Sequence, residues 1–200
     1  MMSIALRSPM TREQFLAWEE KQPLRHEFDG FRPVAMTGGT AAHAIIQHNL
    51  HIAVGGRLRG GPCRFYGSDL KIETASGFRY PDGIVVCLPV ARNATVVTDP
   101  VLIFEVLSDS TARTDLVTKN HEYAATASVR RYVVLAQDTI GGTMFERVAG
   151  DWVGHLLHSD SVLRMPEIGI ELPLAELYDG IDLGAADVAD TAPADGSVER

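Results

Sequence analysis

Apolar and polar positions alternate along this chain with two periods, and the switch between them marks its elements. Phe15, Leu16 and Trp18 follow Thr11-Arg12-Glu13-Gln14, a Thr-x-x-Gln capping box that predicts a helix ended by Pro23. Leu24 to Phe28 and Arg32 to Met36 read as two strands about a turn at Asp29-Gly30. Ala42, Ile45, Ile46, Leu50, Ala53, Val54 and Leu58 recur at helical spacing until Gly60-Gly61-Pro62. Strand-like runs follow at Arg64 to Tyr66, Asp69 to Thr74, Ile84 to Leu88 and Val101 to Val106. The last two are almost unbroken apolar stretches, the pattern of central strands covered on both faces. Asp109-Ser110-Thr111 offers a cap for a third helix over Ala112 to Ala127, and Arg130 to Ala136 is another apolar strand. Thr143 to Val148 and Asp151 to Leu157 predict a hairpin about Ala149-Gly150, followed by a short strand near Ile168 to Leu172 and a helical turn at Leu174 to Tyr178. The order predicts one mixed α/β or α+β domain over 1–182, a mixed sheet with helices at its flanks. Residues 183–200, rich in Ala and Asp, have little to bury and read as a disordered tail.

With 46% hydrophobic and 22% charged residues in 200, the composition supports one sizeable core. No apolar run reaches the roughly 18 residues of a membrane span. The first residues lack the charged start and apolar centre of a signal peptide, so a cytoplasmic protein with no membrane partner is expected. Cys63 and Cys87 are too few for a disulfide framework or a CxxC metal site; Cys87 is expected as a buried small hydrophobe and Cys63 as a partly exposed thiol. The net charge of −8 excludes a polycationic nucleic-acid binder. It does not exclude an enzyme whose acidic site holds a metal.

Asp82 stands at the edge of one apolar strand and Glu105 inside another. An ionised carboxylate in such a strand is costly without a partner or a metal. If the strands pair, the two acids converge on one hard cation of the Mg²⁺ or Mn²⁺ kind; the alternative is a strand-entry cap at Asp82 and an Arg partner for Glu105. Asp115, Lys119 and Tyr123 are spaced by four and share one helix face, with the helix starting a few residues after Glu105. A lysine held there would stabilise developing negative charge; a solvated surface pair is the plainer reading. His26 and Glu27 point to opposite faces of a strand, which leaves Glu27 either an additional acid at the site or exposed.

Three other groups carry less. His43, His48 and His51 lie on the second helix, but only the latter two share a face, too few for zinc. Thr37-Gly38-Gly39-Thr40 lacks the Gly-Lys-Ser/Thr ending of a phosphate loop, and Ser108 and Ser110 lack a nucleophile elbow.

Four strings in order, His26-Glu27-Phe28-Asp29-Gly30, Arg79-Tyr80-Pro81-Asp82, Glu105-Val106-Leu107-Ser108-Asp109-Ser110-Thr111 and Asp115 to Tyr123, resemble the Uma-type family of restriction-endonuclease-like proteins. That family is a branch of the PD-(D/E)XK nuclease superfamily, and the resemblance runs from about Thr11 to Tyr178. It implies a restriction-endonuclease-like central mixed β-sheet flanked by α-helices, with Asp82 and Glu105 as acidic ligands of Mg²⁺ or Mn²⁺. The superfamily's lysine two residues after the second acid is Leu107 here; Lys119 on the following helix matches it, Glu27 matches the upstream acid, and His43 matches a histidine near the helix start. The chain departs from the family pattern at Phe31 and Asp109, where a second acid and a proline are usual.

The implied activity is metal-dependent hydrolysis of DNA phosphodiester bonds by an endonuclease. The alternatives are a catalytically silent binding or assembly module on the same fold, and a metal-dependent hydrolase of another substrate. Acidity overall requires a local basic groove for DNA, with Arg57, Arg59, Arg64 and Arg79 as candidates, or weak affinity. A homodimer suits cutting both strands of a duplex.

Overall fold

The computed structural model describes residues 9–36, 38–108 and 114–183. The expected cap at Asp109-Ser110-Thr111 lies outside them, as does the expected tail from residue 184 onward. Helix α1 (Arg12–Glu19) opens on the capping box that its sequence encodes. Thr11 Oγ1 accepts from the Gln14 amide at 3.2 Å, and the Gln14 side chain accepts from the Thr11 amide at 2.9 Å. Strands β1 (His26–Phe28) and β2 (Pro33–Ala35) pair antiparallel about the Asp29-Gly30 turn. Helix α2 (Ala41–Leu50) runs on through a π-helical turn at His51–Gly55.

Next come β3 (Arg64–Gly67), β4 (Lys71–Glu73), β5 (Phe78–Arg79), β6 (Gly83–Val86), β7 (Val96–Val97) and β8 (Leu102–Val106). A π-helical segment, Thr114–Lys119, leads into helix α3 (Asn120–Ala125). The remaining strands are β9 (Arg131–Leu135), β10 (Gly142–Val148), β11 (Asp151–Leu157), β12 (Val162–Met165) and β13 (Ile170–Pro173). A 3₁₀ turn at Leu174–Tyr178 follows. The β10–β11 hairpin turns at Ala149 and Gly150, both at positive φ (51° and 101°), as a two-residue turn of matching twist requires.

The fold is α+β, with eleven of the thirteen strands among the described residues divided between two larger sheets, where the sequence suggested one, and β12 and β13 paired apart from them. The six-stranded sheet has the order β11-β10-β9-β8-β6-β3 and is antiparallel except for β8 beside β9, whose crossover carries α3. The five-stranded sheet, β2-β1-β5-β4-β7, stacks Phe28 and Phe78 on Phe15 of α1. Its strands β1, β2 and β4 are legible in the sequence, but two-residue strands such as β5 and β7 are too short to show a period, so nothing in the sequence joins them into a second sheet.

Alternate residues of β8 feed two cores. Leu102, Phe104 and Val106 pack with Ile46, Leu50, Val54 and Leu58 of the α2 arm. Ile103 packs on the other side with Ile84, Val86, Tyr123 and Tyr132. Glu105 shares the face of Ile103, turned toward α3.

The cysteines correct the sequence reading. Cys63 and Cys87 form a disulfide across 24 residues, where two separate thiols were expected. Arg64 pairs with Val86 in the antiparallel register, so the cysteines are the next opposed positions beyond the ends of β3 and β6. Sequence spacing alone does not reveal which residues a sheet register opposes.

Candidate active site

The β6–β8 register sets the two acids side by side. Gly83 opposes Phe104, so Asp82, just before β6, lies next in line with Glu105. Asp82 is pinned: its Oδ2 accepts from the Val106 amide at 2.6 Å, its Oδ1 from Gln47 Nε2 at 2.5 Å, and His43 Nε2 lies 3.3 Å from Oδ2. The hydrogen bond to Asp82 raises the His43 pKa above the usual histidine value, against burial. Both α2 side chains are four residues apart, one turn of the face that reaches Asp82.

Glu105 is buried, and its Oε1 accepts from Lys119 Nζ at 2.8 Å and from the Tyr123 hydroxyl at 3.2 Å. Lys119 also faces Asp115 Oδ1 at 3.0 Å and Glu27 Oε1 at 3.3 Å. The expected face of Asp115, Lys119 and Tyr123 is therefore turned inward, not solvated; the π-helical segment that holds Asp115 and Lys119 is buried at both. Three carboxylates hold the Lys119 ammonium charged against the burial that opposes it. Burial pushes the Glu105 carboxyl well above its usual range, reinforced by Asp82, Asp115 and Glu27 and only partly offset by Lys119.

Glu27 is buried on β1 and brings the second sheet to the site. It accepts from the Tyr80 amide at 3.1 Å and from Arg79 at 3.1 Å. Arg79, a candidate for the basic groove, is instead 2% exposed and grips Glu122 with two nitrogens, at 2.8 and 2.6 Å. Arg57 is likewise committed, bonding both oxygens of Glu176. The four proposed site residues thus divide: Lys119 joins Glu105 to Glu27, while Asp82 borders Glu105 and is held from the α2 side. Gln47 and Glu122 were missed. Gln47 falls four residues after His43, the one sequence signal that links it to the site.

The charge in this cluster is unbalanced. Leaving aside Glu105, whose carboxyl is pushed toward its protonated form, Glu27, Asp82, Asp115 and Glu122 still outnumber two permanent cations, Arg79 and Lys119, with His43 beside them. Asp115 Oδ1 is buried without a hydrogen bond, its ion pair to Lys119 apart. Among the described residues no group of three or more His, Cys, Asp or Glu is arranged to hold a metal. The neighbouring pair Asp82 and Glu105 nevertheless fits a hard divalent ion, which takes one or two carboxylates and keeps waters. The excess of carboxylates over cations fits it as well.

A family model described as "Putative restriction endonuclease", that of Uma2, matches residues 12–175. The chain belongs to the Uma2 family. It is 31% identical over 176 residues to an uncharacterized protein of Synechocystis sp., slr1290, covering 86% of this chain and 93% of that one. Its fold matches the crystal structure of a putative nuclease of the DUF820 family from Anabaena variabilis, with a TM-score of 0.70 at 16% identity, over 85% of this chain and 98% of the other. No helix among the described residues is long and apolar enough to cross a membrane.

Proposed function

We propose that this Uma2 protein is a divalent-metal-dependent endonuclease that hydrolyses DNA phosphodiester bonds. The observation that carries the reading is the opposed placement of Asp82 and Glu105 with Lys119 at 2.8 Å from Glu105. Asp82 and Glu105 are the residues that would hold Mg²⁺ or Mn²⁺. When bound, such an ion supplies an activated water and neutralises charge on the attacked phosphate.

The chain's own residues do the rest. Lys119 presents a fixed positive charge beside Glu105, in a site dry enough for that charge to act on a developing phosphorane. Glu27 touches Lys119 and Arg79, so it acts by positioning the ammonium. His43 and Gln47 fix the Asp82 carboxylate in one orientation.

The silent-module alternative has its own support, since most of these acids already have internal partners. Plasmid nicking in low salt with Mg²⁺ or Mn²⁺ separates the two. The wild-type chain is expected to nick, and chelator, Asp82→Ala and Glu105→Ala to abolish nicking. Nicking retained by both variants refutes the site; no nicking by any form leaves the silent module.

A further inference from the structure

We infer that the seam between the α2 arm and β3 is a track for the phosphodiester backbone of DNA, ending in a phosphate grip made by Arg59 and Arg64. The inference rests on the nuclease reading and adds where the rest of the substrate lies.

Positions 43, 47, 51, 55 and 59 follow one another at four-residue steps along the arm. His43 and Gln47 touch Asp82. His51 then lies edge-on to Phe65, ring centroids 4.8 Å apart, and Gly55 backs onto the same ring's β-carbon. The His51 ring lies so close over Gly67 that a Cβ there would stand 2.6 Å from it, so glycine lets the ring rest on β3 at this point of the line. Gly67 opposes Gly83, the residue after Asp82. One continuous line therefore joins the carboxylates to the far end of the arm.

At that far end Gly55, Leu58, Arg59, Gly60, Arg64 and Phe65 line a cleft of about 320 Å³. Arg64 Nη1 donates to the carbonyls of Gly61 (2.6 Å) and Cys63 (2.8 Å), which anchors the guanidinium through one nitrogen. Its other donors are left for a ligand. Neither Arg59 nor Arg64 is ion-paired among the described residues, unlike Arg57 beside them. Two arginine forks over an apolar wall match a phosphate, which they can bind bidentately. A grip is needed away from the acidic cluster, because the carboxylates repel a polyanion. From Gln47 to Arg57, where the helical turns end, the rise is roughly 15 Å, about four phosphates along one strand at ~3.4 Å each, and Arg59 follows in the turn beyond.

The test is steady-state cleavage of oligonucleotides from two to twelve nucleotides, with Mn²⁺, across a salt series. For the wild type, kcat/KM should climb with length until the substrate spans the seam. Arg59→Ala with Arg64→Ala should raise KM for the long substrates about tenfold or more and remove the length dependence. It should also lower the salt slope by about 1.4–1.8, the release expected for two phosphate contacts. Arg59→Lys with Arg64→Lys should keep the salt slope, which guards against a folding defect in the alanine form. Arg92→Ala, an exposed arginine off the seam, should change nothing. A double alanine variant with wild-type KM, slope and length dependence overturns the track while leaving the nuclease reading intact. A wild type that cleaves no length of DNA overturns both.

Discussion

Lys119 sits at the centre of the site's electrostatics, and its removal should cost stability in a pH-dependent way. Its ammonium is buried against Glu105, Asp115 and Glu27, at 2.8, 3.0 and 3.3 Å. Breaking one buried pair costs about 3–5 kcal/mol when the partner charge is stranded. The chain has an escape, which is to take up a further proton. At pH 7 that uptake costs about 3.7 kcal/mol for a carboxyl of ordinary pKa near 4.3, at about 1.36 kcal/mol per unit. The loss in Lys119→Ala is therefore capped near 4 kcal/mol at pH 7 and near 1.6 kcal/mol at pH 5.5. The sign follows from proton counting: above the ordinary carboxylate range the folded variant binds more protons than the unfolded chain, so its stability falls as pH rises. Urea unfolding at the two pH values measures this, and a melting-point drop of about 8–16 °C at pH 7 should accompany it. Millimolar Mg²⁺ should restore part of the loss at pH 7, by replacing the missing cation. A loss below about 1 kcal/mol, or one equal at both pH values, would refute the charge accounting behind the site.

Three further outcomes follow from named features. Glu105, with its pKa raised mainly by burial, must give up a proton to receive a cation; Mn²⁺ binding should release protons and tighten as pH rises, measured by calorimetry in two buffers, and affinity that is flat with pH contradicts this. Serine at both Cys63 and Cys87 should lower stability by about 3–4 kcal/mol, the chain-entropy value for a loop closed across 24 residues, and an unchanged melting temperature would count against it. Ala149 holds a positive φ that suits Asn or Gly, so Ala149→Asn should stabilise the hairpin by about 0.5–1 kcal/mol in urea unfolding; a destabilised protein would show that the turn is set by something else.

Local chemistry was enough to read much of this protein from its residues. The Thr11 capping box, the Ala149-Gly150 hairpin and the unbroken apolar runs of β6 and β8 depend on neighbours within a few positions, so their periods and turn residues declare them. The same holds for the i, i+4 spacing of Asp115, Lys119 and Tyr123, and for two acids placed where an apolar strand would not tolerate them alone. What spacing cannot carry is which distant segments oppose each other. The Cys63–Cys87 bond, the commitment of Arg79 to Glu122 and Glu27, and the hold of Gln47 on Asp82 each join residues 24 or more positions apart. Strand register decides the first, and the docking of the second sheet and of α2 against the β6–β8 pair decides the others. Burial then converts these meetings into chemistry, since a carboxylate's charge and a lysine's hold on it depend on how much water the tertiary structure leaves beside them.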